Sequence, residues 1–303
     1  MKVVITGATG FIGQALARRT CEAGWETVLT ARPGHSGLPA KAKSLLMSME
    51  EYSTLGRATG GSDCFVHLAW AGLRSQQRMD EDLQEKNLTY SVQAIESMLQ
   101  AGCRRIVLAG SQAEYGPIQE RVTEAAECRP STAYGRAKLR LLQEASRLCS
   151  QYGAACKELR VFSLFGPGDR ADTLISSTLR RMLKNEPCPF TLGTQRWDYL
   201  YISDGADAFF RSCTADCPDG SYNIASGVSL PLREYITRMA AVARTKSPLL
   251  FGALPTPAAQ PSLWPDITKA RRELGWEPRV AFEAGIQSIL EAWSQQEPAE
   301  AQP

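Results

Sequence analysis

The sequence predicts an α/β fold, with a doubly wound parallel sheet over residues 1–168 and a smaller α/β portion over 169–295. Three observations predict it. Short apolar runs alternate with longer stretches of helical period through the first two-thirds of the chain, the pattern of a sheet covered by helices on both faces. The apolar residues in these runs are mostly continuous rather than alternating, which suits strands buried on both sides. The first run ends among Gly7, Gly10 and Gly13, and a helical pattern begins there.

Taken in order, the strand candidates are "KVVIT" (2–6), "ETVLT" (26–30), "SLLMS" (44–48), "CFVHLA" (64–69), "RIVLAG" (105–110) and "CKELRVF" (156–162). Helical periodicity fills 11–23, 82–101 and 133–152. After "LFGPGD" (164–169) the composition changes: helical stretches near 172–185, 204–213, 231–243 and 281–294 are mixed with short strands and many prolines. This part is expected to lie over the carboxyl edge of the sheet and bind substrate, with some segments returning to the sheet itself. Residues 296–303 have no apolar period and are expected to form a flexible tail.

Bulk properties exclude several classes. A chain of 303 residues, 44% hydrophobic and 22% charged, has the make-up of a soluble globular enzyme. A net charge of +2, with its basic doublets spread along the chain, points away from nucleic acid and from membrane surfaces. The nine cysteines contain no C-x-x-C pair, and His35 and His67 are the only histidines, so no metal site is expected. Reduced thiols, a strand from residue 2 and no apolar run of membrane-spanning length predict a cytoplasmic protein.

The turn "VVITGATGFIG" carries chemistry. Glycines at the first strand-to-helix turn permit a tight bend and close backbone approach to a pyrophosphate, which the helix N-terminus attracts. Gly7, Gly10, Phe11, Ile12 and Gly13 are therefore the candidate phosphate cradle of a Rossmann domain. The spacing is G-x-x-G-x-x-G, and further marks follow in order: "HLA" (67–69), Asn87, "GSQAEYG" (110–116), Tyr134 with Lys138, "RVFSLFGPG" (160–168) and "DITKARRELGWEP" (266–278). By this ordered set the chain resembles the extended short-chain dehydrogenase/reductase family of the NAD-dependent epimerase/dehydratase type. The resemblance covers nearly the whole length. It implies a nicotinamide cofactor held also by Leu68, Ala69 and Lys138, with His67 acting through its backbone, and a homodimer formed through helices 82–101 and 133–152. At the end of the second strand, where a carboxylate would select NAD, the chain reads Ala31-Arg32; an arginine there can pair with a 2′-phosphate. NADP(H) is expected, with NAD(H) as the alternative.

Tyr134 and Lys138 stand four residues apart, on one face of a helix. A free tyrosine near pKa ~10 exchanges protons poorly at neutral pH, and an adjacent ammonium favours its phenolate. Tyr134 is thus the expected proton donor or base, and Lys138 is expected to lower its pKa. By resemblance Lys138 also holds the nicotinamide ribose, and Ser111 orients the substrate oxygen.

The family includes epimerases, dehydratases, decarboxylases and reductases acting mostly on nucleotide-activated sugars. Dehydratases carry an Asp-Glu pair after the hydroxyl residue; this chain has Gln112 and Ala113, with Glu114 one place late and, on an extended segment, on the opposite side. "GSQAEYG", "HLAWAG" and "WDYLYISD" (197–204) resemble reductases of nucleotide-diphosphate 4-keto-6-deoxysugars. Trp70 and Arg74 at the sheet's carboxyl edge, Ser163 where many relatives carry asparagine, and Arg196 next to an inserted Trp197 are the candidate substrate contacts. The leading expectation is NADPH-dependent reduction of a 4-keto sugar nucleotide. The alternatives are an NAD-dependent nucleotide-sugar 4-epimerase and a non-catalytic dinucleotide sensor.

Overall fold

The computed structural model describes residues 1–32, 34, 37–118, 120–256 and 262–295. His35 and the tail expected over 296–303 lie outside the described residues.

The first part of the chain forms β1 (Lys2–Thr6), α1 (Phe11–Glu22), β2 (Glu26–Ala31), β3 (Lys43–Leu46), α2 (Leu55–Thr59) and β4 (Cys64–His67). It continues with α3 (Glu81–Gln100), β5 (Arg105–Ser111), α4 (Ala133–Tyr152) and β6 (Ala155–Val161). The remainder comprises β7 (Ser163–Phe165), α5 (Leu174–Leu183), β8 (Cys188–Phe190), β9 (Arg196–Trp197), β10 (Tyr199–Tyr201) and α6 (Ile202–Ser212). It closes with β11 (Gly220–Ile224), β12 (Leu230–Pro231), α7 (Leu232–Ala243), β13 (Leu249–Phe251), α8 (Thr268–Leu274) and α9 (Phe282–Ser294).

Seven strands make one sheet in the order β11-β6-β5-β4-β1-β2-β3, every pair parallel. The chain winds outward from β1 to β3 and then returns to the other side of β1 as β4. That reversal opens a crevice at the carboxyl ends of β1 and β4, where such sheets bind ligands. The expected doubly wound sheet is present.

The unbroken apolar runs have a direct cause. Val3 and Ile5 belong to a core with Leu16, Phe209 and Trp276, whereas Val4 and Phe65 face a second core with Ile95, Met98 and Leu141. Neighbouring residues of one strand serve opposite layers, so consecutive positions can both be apolar, and the buried polar ones such as Thr6 and His67 are hydrogen-bonded. β4 stops at His67, two residues before the run "CFVHLA" does, and the Leu68 N–H donating to the Thr6 carbonyl (3.3 Å) is the last bond of its ladder with β1.

β11 adds a strand that has no long apolar run. Among the described residues it pairs only with β6, and it buries Tyr222 and Ile224 against Leu159. α6 and α8 cover the same face as α1, and Trp25 stacks on Phe210 with ring centroids 4.3 Å apart. The rest of the C-terminal part, α5, α7 and α9, closes around its own core. In it Phe165, Tyr199, Tyr235 and Phe282 make an aromatic cluster with centroids 4.8–6.0 Å apart. Among the described residues no helix is long and apolar enough to cross a membrane.

Candidate active site

A cleft of about 980 Å³ lies between the carboxyl ends of β1, β4, β5 and β6 and the C-terminal part. Its floor is the glycine turn. Gly7 has φ +68°, and a Cβ there would stand 2.6 Å from the Ala69 nitrogen; a Cβ on Gly13 would overlap the Gly7 carbonyl oxygen. Gly10 caps α1 with extended backbone and no side chain, and the first turn of the helix carries no acidic residue. Its opening N–H groups are left to the cleft, which Gly10, Phe11, Ile12 and Gly13 line. Leu68 and Ala69 form the wall opposite. These residues fit a dinucleotide pyrophosphate: the cradle exists because side chains are missing from it. At one end Arg32 lines the cleft beside Tyr52, whose hydroxyl is 3.2 Å from Thr30 Oγ1. Among the described lining residues the only carboxylate is Asp169.

α4 brings Tyr134 and Lys138 into the same cleft as Ser111. Thr132 caps the helix by accepting the Gly135 N–H (3.0 Å), and Gly135 allows the helix to press on the Ala113 carbonyl, which a Cβ would overlap. This close approach sets Tyr134 against the end of β5. Burial pushes the Tyr134 phenol up, opposed by the Ser111 hydroxyl and then by the Arg78 guanidinium. In the protein alone burial outweighs both. The Lys138 ammonium lies 5.9 Å from the Tyr134 ring centroid, but 3.7 Å from that of Trp70, and donates to the Ala109 carbonyl (2.8 Å). Desolvation drives its pKa down to about 7, so near neutrality it carries only part of a charge.

This depression has a consequence for stability. Between pH ~7 and ~10 the unfolded chain holds a proton on Lys138 that the folded chain has lost, so folding gains stability as pH rises. One such proton is worth about 1.4 kcal/mol per pH unit. Urea unfolding of wild type and Lys138→Met is expected to show wild type gaining about 2 kcal/mol on the variant between pH 7 and 9. A difference independent of pH would mean that Lys138 stays charged.

His67 is neutral, held down to about 3 by burial and by Lys138. Thr6 Oγ1 and Ser91 Oγ each lie 2.8 Å from one of its ring nitrogens. Ser91 already donates to the Asn87 carbonyl (2.6 Å), so it accepts from Nε2–H, and Nδ1 accepts from Thr6. Its backbone at the end of β4 leads to Leu68 and Ala69.

The loop after β4 is pinned by α3, a feature sequence reasoning missed. Asn87 accepts the Ala71 N–H (3.0 Å) and donates to its carbonyl (2.9 Å); Gln84 accepts from Trp70 Nε1 (2.8 Å) and donates to the Gln77 carbonyl (2.8 Å). Their i, i+3 spacing on one helix was the available signal. Trp70 lines the cleft, but its ring is engaged, its face by Lys138, and Tyr134 stands at right angles to it (centroids 5.9 Å). Arg74 and Ser163 also line the cleft, as does Arg78, which was not foreseen.

Two expectations change with the geometry. Arg196 does not line the cleft: its guanidinium bonds the Ser229 carbonyl and hydroxyl and lies 4.6 Å over the Trp264 ring. Successive residues of a strand face opposite ways, and it is Trp197 that lines the cleft. Glu114 is not on an extended segment; it ends a 3-10 turn, Gln112–Glu114. It stays out of the cleft because it is buried, accepting the Ser111 N–H (2.6 Å) and Arg160 Nε (2.9 Å). Arg160 also reaches Glu158 (3.1 Å), and burial pushes both carboxyls up.

The comparisons agree with this arrangement. A profile described as the NAD dependent epimerase/dehydratase family matches residues 3–225. The chain is 26% identical over 310 residues to dTDP-4-dehydro-6-deoxyglucose reductase of Escherichia coli, covering 96% of each chain. Its fold is similar to UDP-glucose 4-epimerase of Thermotoga maritima solved with UDP-glucose, with TM-score 0.88 and 21% identity over 98% of this chain and 99% of that one. It is likewise similar to MoeE5 solved with UDP-glucose and NAD, with TM-score 0.85 and 24% identity over 98% and 99%. With the glycine cradle, the Tyr134–Lys138 pair and a match over most of its length, this chain is an enzyme of the NAD dependent epimerase/dehydratase family.

Proposed function

We propose that this enzyme reduces the 4-keto group of a nucleotide-activated deoxysugar with NADPH. The observation that carries the reading is the meeting of Ser111, Tyr134 and Lys138 with the glycine turn in one cleft. Gly7, Gly10, Phe11, Ile12 and Gly13 would hold the dinucleotide's pyrophosphate, Arg32 its 2′-phosphate, and Leu68, Ala69 and Lys138 its nicotinamide half. When bound, the dinucleotide supplies a hydride and its two electrons to the ketone carbon. The Tyr134 hydroxyl gives its proton to the ketone oxygen, leaving phenolate and forming the alcohol. Ser111 donates a hydrogen bond to that oxygen and fixes its direction, as charge builds there. Lys138 favours the phenolate once its ammonium is drawn from Trp70 toward the ring. Trp70, Arg74 and Ser163 would face the sugar nucleotide, and Trp197 takes the place in the cleft expected of Arg196.

The likeness to a reductase of a dTDP-linked 4-dehydro-6-deoxysugar supports this reading, and the Ala31-Arg32 pair supports NADPH over NADH. The likeness to UDP-glucose 4-epimerases supports the second reading, 4-epimerisation with retained NAD. Incubation with NADPH and CDP-, GDP-, dTDP- or UDP-linked 4-keto-6-deoxysugars is expected to consume NADPH with at least one, and faster than NADH. No consumption with any of them, together with interconversion of two sugar alcohols by protein carrying its own NAD, would replace reduction by epimerisation. The same reading includes a homodimer through α3 and α4, which sedimentation equilibrium would test.

A further inference from the structure

Lys138 is not the cation nearest to the face of Tyr134. Arg78 lies over that ring, its Cζ 4.8 Å from the centroid, while the Lys138 ammonium is 5.9 Å away and rests on Trp70. Arg78 is held in place. It sits in the 3-10 turn Gln77–Met79, its N–H bonds the Arg74 carbonyl (3.0 Å), and its Nε donates to the Leu73 carbonyl (3.2 Å). The turn in turn is fixed by Gln84 at the Gln77 carbonyl and followed by Asp80, which caps α3 through the Leu83 N–H (3.0 Å). No carboxylate pairs with Arg78 among the described residues.

The other groups around the phenol do not supply that charge. Glu114 and Glu158, beyond Ser111, oppose its ionisation, though both are tied to Arg160. Trp70, an uncharged ring at right angles to the phenol, supplies none. Lys138, desolvated, is only partly charged near neutrality, whereas a guanidinium is charged throughout. We propose that Arg78 is a second cation of the active site, a positioning residue that stabilises the charged form of Tyr134 from above its ring. The proposal rests on the reading of Tyr134 as the proton-exchanging group. It means that the phenolate left by proton donation meets a fixed positive charge before Lys138 has moved.

The test needs no bound dinucleotide. Tyrosine ring carbons are labelled with ¹³C at Cζ, and the Tyr134 resonance is identified by its loss in Tyr134→Phe. Arg78→Gln is expected to raise the midpoint of the Tyr134 titration by about one pH unit, and Arg78→Lys to restore most of the difference. Arg78→Met, which keeps the aliphatic stem, gives the same answer if the glutamine variant does not fold. In turnover, the low-pH limb of alcohol oxidation is expected to move upward by the same amount in Arg78→Gln. Folded variants whose Tyr134 titration superposes on wild type would overturn the proposal, even if Tyr134→Phe is inactive. A moved titration in a protein that turns over no sugar nucleotide would uphold Arg78 and remove the assigned reaction instead.

Discussion

Tyr134→Phe is expected to lower kcat about a thousandfold while leaving the dinucleotide affinity within about threefold of wild type. The asymmetry follows from where the hydroxyl sits. The ring is buried, packed at right angles to Trp70 and lying beneath Arg78, and phenylalanine keeps each of these contacts. The glycine turn and the wall at Leu68 and Ala69 do not touch the lost oxygen. On the proposed reading, what disappears is one proton donor at the point where an alkoxide would form. A thousandfold in rate is about 4 kcal/mol of barrier, within the range of a positioned acid. Steady-state kinetics with a dinucleotide titration would separate the two constants. A variant retaining a tenth of the wild-type kcat would show that the proton comes from elsewhere.

The second large effect is expected at the glycine turn. Gly7→Ala should weaken dinucleotide binding at least a hundredfold, about 2.7 kcal/mol, measured by calorimetry or nicotinamide fluorescence. Two penalties combine there: a positive φ of +68° and a methyl carbon 2.6 Å from the Ala69 nitrogen. The turn would have to open away from β4, and the N–H groups of α1 would leave their aim. Gly24→Ala is the control. It has φ +73° with nothing within 4 Å, so it carries the backbone strain without the collision. That variant should lose some stability and keep its affinity. Equal losses at both positions would mean that strain alone, and not the close approach to Ala69, governs the site.

Much of this was legible in the order of residues. Strands buried on both faces favour consecutive apolar residues, so Val3, Val4 and Ile5 announce β1. The glycines, the Tyr134–Lys138 spacing and Ser111 are local patterns, and local patterns survive translation into three dimensions. Other features depend on contacts that sequence spacing does not reveal. β11 has a run too short to stand out and exists because β6 offers an open edge. Arg196 and Trp197 differ by one strand position, and that single step decides which side chain faces the cleft. Lys138 was expected to serve Tyr134, yet its ammonium lies on Trp70, a ring fixed by Gln84 fourteen residues further on. Arg78 reaches Tyr134 only because α3 holds the loop that carries it. The charges around the phenol were therefore the least readable part of the site.

The most direct measurement follows the hydride. Incubation with NADPH deuterated at C4 of the nicotinamide, on the transferred face, and a 4-keto sugar nucleotide should give a sugar alcohol heavier by one deuterium at carbon 4. In Tyr134→Phe the label should arrive about a thousandfold more slowly. Product formed without label, or label transferred at an undiminished rate in the variant, would contradict the assignment of this cleft as a reductase site that uses Tyr134.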